Sequence, residues 1–495
     1  MTATDVTKAG DFSDLQSLGY KQELKRGLGP FASFCSGFSF VSILTTVFEL
    51  FALGFGFGGP AYIWTWPLVF LGQFAVALVF AELSAKYPIA GAIYQWSRRV
   101  SNDPLGWLAG WLMLIGYIVS VAAIAVALQT VLPEVWSGFQ FVGSNSDPLS
   151  PDGALNAIVL GTLCIAICTA IASFGVTMMA FITRIGVTFE IVGVIALIGL
   201  LFSHTERGPS VVFQTDGVQG NGSYLWPFMA SMLMAAYVFY GFDSAAELSE
   251  ETNDPRRTAP RAITRCMLVS SVGGGLLILG TLMAAPDILS PDLAAKGISY
   301  VITSQLGEGL GKVILAVVAI SIFSAALAIS ASATRVMFSM ARDGRLPFAR
   351  QLAKVSPRTH TPLLPGIAVG ALSIAVLLLN LGSSSVLTSV TSVSVVIVYL
   401  AYLLVTVPLL IKRLRGLAPT TEPGYWSLGR WGLPINIVAV VFGAFLMVDA
   451  GWPRAAVYDL AGGHWYLQYL APLFITAALG VGALAYHTMQ RQQQR

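Results

Sequence analysis

Residues 110–132, "GWLMLIGYIVSVAAIAVALQTVL", carry no charge over 23 consecutive positions. At 1.5 Å of rise per residue, a helix of about 20 such residues spans the hydrocarbon of a bilayer, and every backbone N–H and C=O must then be satisfied inside the helix itself. Runs of this kind recur along the chain, roughly at 31–55, 62–85, 106–132, 154–174, 184–203, 224–250, 262–285, 310–342, 362–380, 386–411, 433–449 and 467–487. The pattern predicts an all-α polytopic membrane protein of about twelve spans. Composition agrees: 11% of residues are charged and 55% hydrophobic, where soluble domains carry roughly 25% charged residues.

Charge placement orients the spans. With loops assigned alternately from an inner N-terminus, all but four of the 28 Lys and Arg residues fall on the inner side, the exceptions being Arg207, Lys296, Lys312 and Arg454. That asymmetry follows the positive-inside rule and places both termini on the cytoplasmic side of the plasma membrane. The arm 1–30 is polar and has no apolar core, so no cleaved signal peptide is expected. The four cysteines lie in or beside apolar runs and read as packing residues. The expected organisation is an arm (1–30), one membrane domain (31–487) and a short cytoplasmic tail (488–495).

Two spans contain residues that a continuous membrane helix does not tolerate. The first holds "SGFSFVSILTTVFELF" (36–51), with serines, threonines and Glu49; the sixth holds "AYVFYGFDSAAELSEE" (236–251), with Gly241, Asp243 and Glu247. Unwound backbone in hydrocarbon costs several kcal/mol per unmet group and is tolerated only against protein, a cavity or a ligand. Five spans separate the breaks, and a repeat of odd length places its copies in opposite orientation. Two inverted halves, 31–203 and 224–411, each opened by a discontinuous helix, point to a transporter with its site between the breaks. Residues 433–487 add two further spans. A simple glycine kink with interface-facing acids is the alternative reading.

The stretches "LGYKQELKR" (18–26), "GGPAYIWTWP" (58–67), "ELSAKYPIAGAIYQWS" (82–97), "FYGFDSAAELSEETNDPRRTAPRAI" (239–263) and "SATRVMFSMARDGRLP" (332–347) resemble the amino acid/polyamine/organocation superfamily of permeases, most closely its amino acid/choline transporter family. The resemblance implies a LeuT-like 5+5 inverted repeat plus two helices, with substrate bound where the first and sixth spans unwind. It places Ser42, Ile43, Thr45 and Thr46 at the first break, where such permeases often present a Gly-Ser-Gly backbone to an α-carboxylate. Here that segment is Leu44-Thr45-Thr46, a departure that argues against ordinary α-amino-acid recognition. It also implies that Tyr237, Phe239, Tyr240 and Gly241 surround the substrate's amine from the sixth span. In several proton-coupled relatives a lysine stands in the fifth span near the first break, where this chain has Glu190.

The residues themselves support part of this. Aromatic faces attract ammonium groups by roughly 0.5–2 kcal/mol, although each ring taken singly is equally a packing residue. Glu49 lies one turn beyond Thr45, and an acid inside a span usually faces the bundle interior; it is a partner either for a cationic substrate or for another polar group. Asp243 and Glu247, four apart, share a face; Asp243 is counted with the substrate site and Glu247 reads better as a cap for the break. Glu190, a lone carboxyl in the fifth span, can load and release a proton and is the candidate coupling site. Arg335, Arg342 and Arg345 read as anchors on the positive side.

No P-loop occurs, so the chain is not expected to bind ATP as such a pump. The histidines stand in loops or at helix ends, so neither a metal nor a cofactor is expected, and nothing suggests nucleic acid. The reading is a secondary active permease importing a small amine-bearing solute (an amino acid, γ-aminobutyrate, a polyamine or a choline-like amine) with protons by alternating access. An exchanger of the same fold and, more remotely, an integral-membrane enzyme are the alternatives.

Overall fold

The computed structural model describes residues 14–148, 150–215, 218, 223–381, 384–458 and 465–493. The beginning of the arm, with Lys8, and the end of the tail, with Arg495, lie outside the described residues. Among the described residues the membrane domain is built from helices, with no strand. Ten described helices are long and apolar enough to cross a bilayer, and two shorter apolar ones, Leu225–Val238 and Leu363–Leu377, complete the expected twelve spans.

The first span is two helices, α1 (Pro30–Val41) and α2 (Ile43–Gly58). It is followed by α3 (Thr65–Lys86), the short α4 (Ala92–Val100), α5 (Asp103–Val135), α6 (Pro151–Ser173) and α7 (Val176–Ser203). The sixth span is α8 (Leu225–Val238), an irregular stretch, and the single turn α9 (Ser244–Glu247). Then come α10 (Pro255–Ala284), α11 (Ile298–Arg342), α12 (Leu363–Leu377), α13 (Ser384–Leu414), α14 (Gly432–Gly451) and α15 (Leu470–Gln493). Helix starts follow local chemistry. Asn102 caps α5 by accepting from the Leu105 amide at 3.0 Å, and Ser150 caps α6 through the Gly153 amide at 3.0 Å; each start also carries a proline in the first turn, where its missing N–H costs nothing. Within α11 the backbone is non-helical at Gly307 (φ 74°), so its membrane-crossing part is the stretch beyond that residue.

The sixth span departs from the run expected over 224–250. Beyond α8 it regains only one α-turn and a 3-10 turn (Ser249–Glu251) before Pro255 opens α10. Three carboxylates, Glu247, Glu250 and Glu251, fall in this segment, all fully buried. Their need for donors outside their own helix outweighs continued helical winding.

Packing surrounds the two breaks. The broken first span touches α7, α8, α10 and α11, while α5 packs along α11 and α13, and α3 along α10. Close approach is made by small residues: a Cβ on Gly37 would stand 3.2 Å from the Ala245 Cβ, so α1 and α9 lie backbone to backbone. Ser244 Oγ donates to the Ser36 carbonyl (3.2 Å) and Ser33 Oγ to the Ala245 carbonyl (3.4 Å). The four cysteines are buried free thiols.

Candidate functional site at the two broken helices

Ser42 makes the first break. It sits in the left-handed region (φ 36°, ψ 83°) between α1 and α2, a conformation that costs a non-glycine residue about 1–3 kcal/mol and needs support from its surroundings. Glu190 of α7 supplies it. Its Oε1 accepts from Ser42 Oγ at 2.9 Å and from the Leu44 amide at 3.2 Å, so the carboxyl closes the N-terminal end of α2. Thr45 Oγ1, 2.7 Å from Ser42 Oγ, is a second acceptor for that hydroxyl beside Glu190. Thr46 Oγ1 donates to the Ser42 carbonyl at 2.8 Å. Glu190 is fully buried, and its Oε2 has no hydrogen-bond partner among the described residues.

The second break is held from two neighbouring helices. Gly241 has φ 82°, and a Cβ there would fall 1.9 Å from the Phe40 ring, so both conformation and space require glycine. Its amide donates to the Tyr402 hydroxyl at 2.9 Å. Tyr402 of α13 in turn donates to Asp243 Oδ1, and Tyr117 of α5 donates to Asp243 Oδ2 at 2.6 Å. Asp243 is therefore enclosed between two tyrosines and offers no free oxygen. Glu247 faces the Gly91, Ala92 and Ile93 amides that open α4, without a hydrogen bond of full geometry; helix-end amides favour an anion there.

Glu49 stands apart from these. Its side chain is exposed, although many protein atoms lie around it, so it is not packed in the core. No hydrogen bond or ion pair to Glu49 occurs among the described residues. Thr46, one turn before it, and Tyr240 are half-buried. Tyr240 lies close enough for the Glu49 charge to act on its hydroxyl, which is 3.2 Å from Ser120 Oγ. Its ring meets Phe40 edge-on at 5.8 Å.

The expected residues thus separate into groups. Glu49 lies near Tyr240, with the half-buried Thr46 one turn before Glu49. Ser42, Thr45 and Glu190 form the network that holds the first break, with Thr45 buried although it was placed on the Glu49 face. Ile43 is buried and packs towards Gly273 and Gly274 of α10. Phe239 is fully buried with its ring centre 4.4 Å from that of Trp66 and 5.6 Å from that of Phe70. Tyr237 is largely buried. Sequence reasoning missed Tyr117 and Tyr402. The only signal was a phenol inside an apolar run, which must find a partner when buried.

Below the breaks, on the side of the arm, the chain is closed by buried ion pairs. Arg335 grips Glu251 through two bonds of 3.0 and 2.9 Å, with side chains 1% and 0% exposed. Arg342 grips Glu250 in the same way at 2.9 and 2.8 Å. These arginines were expected as simple surface anchors; the acids of the sixth span draw them inside. Residues 22–28 lie across this layer, the Gly27 and Leu28 amides donating to the Glu251 carbonyl at 2.9 Å each. The Arg342 guanidinium lies over the Tyr20 ring at 4.1 Å, and the Tyr20 hydroxyl donates to Asp343 at 2.9 Å.

Comparison with known proteins gives the same picture. A family model described as amino acid permease matches residues 28–479. Amino-acid permease BAT1 of Arabidopsis thaliana is 28% identical over 468 residues, spanning 89% of this chain and 88% of its own. Amino-acid permease 2 of Neurospora crassa is 25% identical over 475 residues, spanning 91% of this chain and 83% of its own. A match over nearly the whole chain, both breaks included, identifies it as a member of the amino acid permease family of the amino acid/polyamine/organocation superfamily.

Proposed function

We propose that the protein is a secondary active transporter that imports a small amine-bearing solute across the plasma membrane, by alternating access between its two repeats and with a proton as the coupled ion. The observation that carries this reading is Glu49: an exposed carboxylate inside a membrane span, with no hydrogen bond or ion pair among the described residues. An anion in that position is expensive unless a cation joins it, and an ammonium group from the substrate is that cation. Tyr240 adds a ring face beside it. The relatives are named amino-acid permeases, which supports an amino acid or a close amine analogue.

The first break narrows the choice. Glu190 already occupies the Leu44 amide, one of the donors at the N-terminal end of α2 that could meet a substrate carboxylate. This favours a plain amine or a γ-amino acid over an α-amino acid. Glu190 is also the proposed proton carrier. When ionised it accepts at Oε1 and leaves Oε2 bare; when protonated it keeps both Oε1 bonds and gains an O–H. Either form fits without rebuilding the break. The proposed orientation puts the arm and its ion-pair layer in the cytoplasm, so the chain is closed towards the cytoplasm in this structure.

Proteoliposomes test both parts. A panel of amines and amino acids, offered with an inward pH gradient, should show saturable accumulation of at least one amine. In Glu190→Gln, substrate exchange should persist while gradient-driven accumulation is lost. Accumulation that survives in this variant removes Glu190 as the proton carrier, and a sodium requirement in the wild type overturns the proton as coupled ion.

A further inference from the structure

A cavity of about 790 Å³ opens on the arm side of the molecule, away from Glu49. Three segments distant in sequence meet there: the arm at Lys25, the start of α7 at Gly175 to Arg184, and the loop before α12 at Arg358 and His360. None of the lining residues is acidic. Lys25, Arg184 and Arg358 are exposed, and none of the three joins an ion pair among the described residues. Arg184 Nε donates to the Ala180 carbonyl of its own helix at 3.2 Å, leaving its terminal nitrogens available. No side chain caps α7, so its first-turn amides add partial positive charge to the same wall. Arg98, Arg256, Arg335, Arg342, Arg345 and Arg413 on this side are matched by acids; at this cavity three unpaired cations line one wall.

The other wall is apolar and turned outward. Phe174, just before α7, and Met178 and Phe181 on it are 73%, 47% and 52% exposed, and Met178, Phe181 and Ile185 form one stripe along α7. A second, smaller crevice of about 180 Å³ adjoins the cavity, sharing Thr177 and Arg184 with it. Its remaining lining is mostly apolar, with Pro30, Phe31, Ala32 and Ala180 at the start of α1 and on α7.

We infer that this is a binding site for an anionic phospholipid, whose phosphate headgroup is held by Lys25, Arg184 and Arg358 and whose acyl chain enters the crevice beside Phe31 and Ala32. The unmatched cations fit a phosphate group from any source. The exposed phenylalanines and the adjoining apolar crevice select a lipid over free phosphate, because an inorganic anion gains nothing from them. Placement in the inner leaflet, where anionic headgroups face basic residues near the membrane surface, rests on the orientation proposed above; the site itself does not depend on the transport reading. A lipid seated here touches the arm, α1 and α7 together, the segments that flank the closed arm-side layer.

The test is equilibrium binding to the purified full-length chain in phosphatidylcholine nanodiscs, with dioctanoyl phosphatidylglycerol, dioctanoyl phosphatidylcholine and glycerol phosphate as probes. Phosphatidylglycerol should bind at least tenfold more tightly than either of the others. Arg184→Gln combined with Arg358→Gln, both exposed positions, should weaken it at least tenfold. Ala32→Trp, which fills the crevice, should weaken the lipid and leave the phosphate-only probe unchanged. Equal binding of the two lipids, unaltered phosphatidylglycerol binding in the double variant, or glycerol phosphate binding as tightly as the lipid each overturns the assignment. The double variant is checked for an unchanged elution profile, and Lys25→Gln on the arm gives an independent reading should it fail to fold.

Discussion

Replacing Arg335 by alanine tests the arm-side closure. The pair with Glu251 is bidentate and almost wholly removed from solvent (1% and 0% exposed). Removing one partner from such a pair leaves an uncompensated buried charge and costs about 3–5 kcal/mol. If the closed arrangement alone bears that cost, since opening lets water reach Glu251, the closed-to-open ratio falls by roughly a hundred- to several-thousand-fold at about 1.4 kcal/mol per decade. Cys35, fully buried in α1 behind the arm, reports the change. In a background with Cys164, Cys168 and Cys266 replaced, its alkylation by a maleimide should be slow in the parent and faster in Arg335→Ala by a similar factor, up to the intrinsic rate of an accessible thiol. Arg335→Leu combined with Glu251→Leu should return towards the parental rate, because the stranded charge leaves with its partner. A folded Arg335→Ala protein whose Cys35 reacts no faster refutes the reasoning: the pair would then support the open and closed arrangements alike.

Gly241→Ala should destabilise the protein by about 2–4 kcal/mol, since the left-handed backbone and overpacking against Phe40 act together; thermal unfolding in detergent measures it, and an unchanged midpoint contradicts the glycine argument. Tyr402→Phe should cost about 1.5–3 kcal/mol by removing the donor to Asp243, read in the same assay. The Arg256 guanidinium, 3.2 Å from Glu422, holds that carboxyl below its ordinary value of 4.5. A group with a lowered folded pKa contributes its attachment above the unfolded value and loses it as pH falls through the folded one. Protease protection of the exposed segment around Glu422 should therefore be constant through neutral pH and fall only below the ordinary value of 4.5; a loss near pH 6 would assign it to another group.

Much of this architecture is legible in the chain itself, because hydrocarbon imposes a strict rule on every residue that crosses it. Twelve spans follow from apolar length, and both breaks follow from the polar residues that interrupt the first and sixth. Glu190 beside the first break follows partly from an acid standing alone in an apolar run. What is not legible is the pairing between breaks and distant helices. Asp243 meets Tyr117 across 126 residues of sequence and Tyr402 across 159, and a phenol in an apolar run does not announce which acid it will reach. Arg335 and Arg342 look like any inner-side arginines until the chain after Gly241 turns Glu250 and Glu251 inward. Thr45 and Glu49 stand one turn apart on α2, yet Thr45 is buried beside Ser42 while Glu49 is exposed, because which neighbours cover each turn of a helix is set by distant segments.

The central claim is that the free carboxylate of Glu49 receives the substrate's ammonium group, and equilibrium binding to Glu49→Gln tests it most directly. A thermal-shift panel first identifies the amine that binds most tightly, since a ligand at 100 times its Kd stabilises by about 2.7 kcal/mol. Calorimetric titration of that amine into the folded Gln variant should then show a loss of about 2–5 kcal/mol, roughly thirty- to several-thousand-fold in Kd, with an unliganded unfolding midpoint no lower than that of the parent. An unchanged Kd in a folded Glu49→Gln protein would contradict the account and make Glu49 a structural acid.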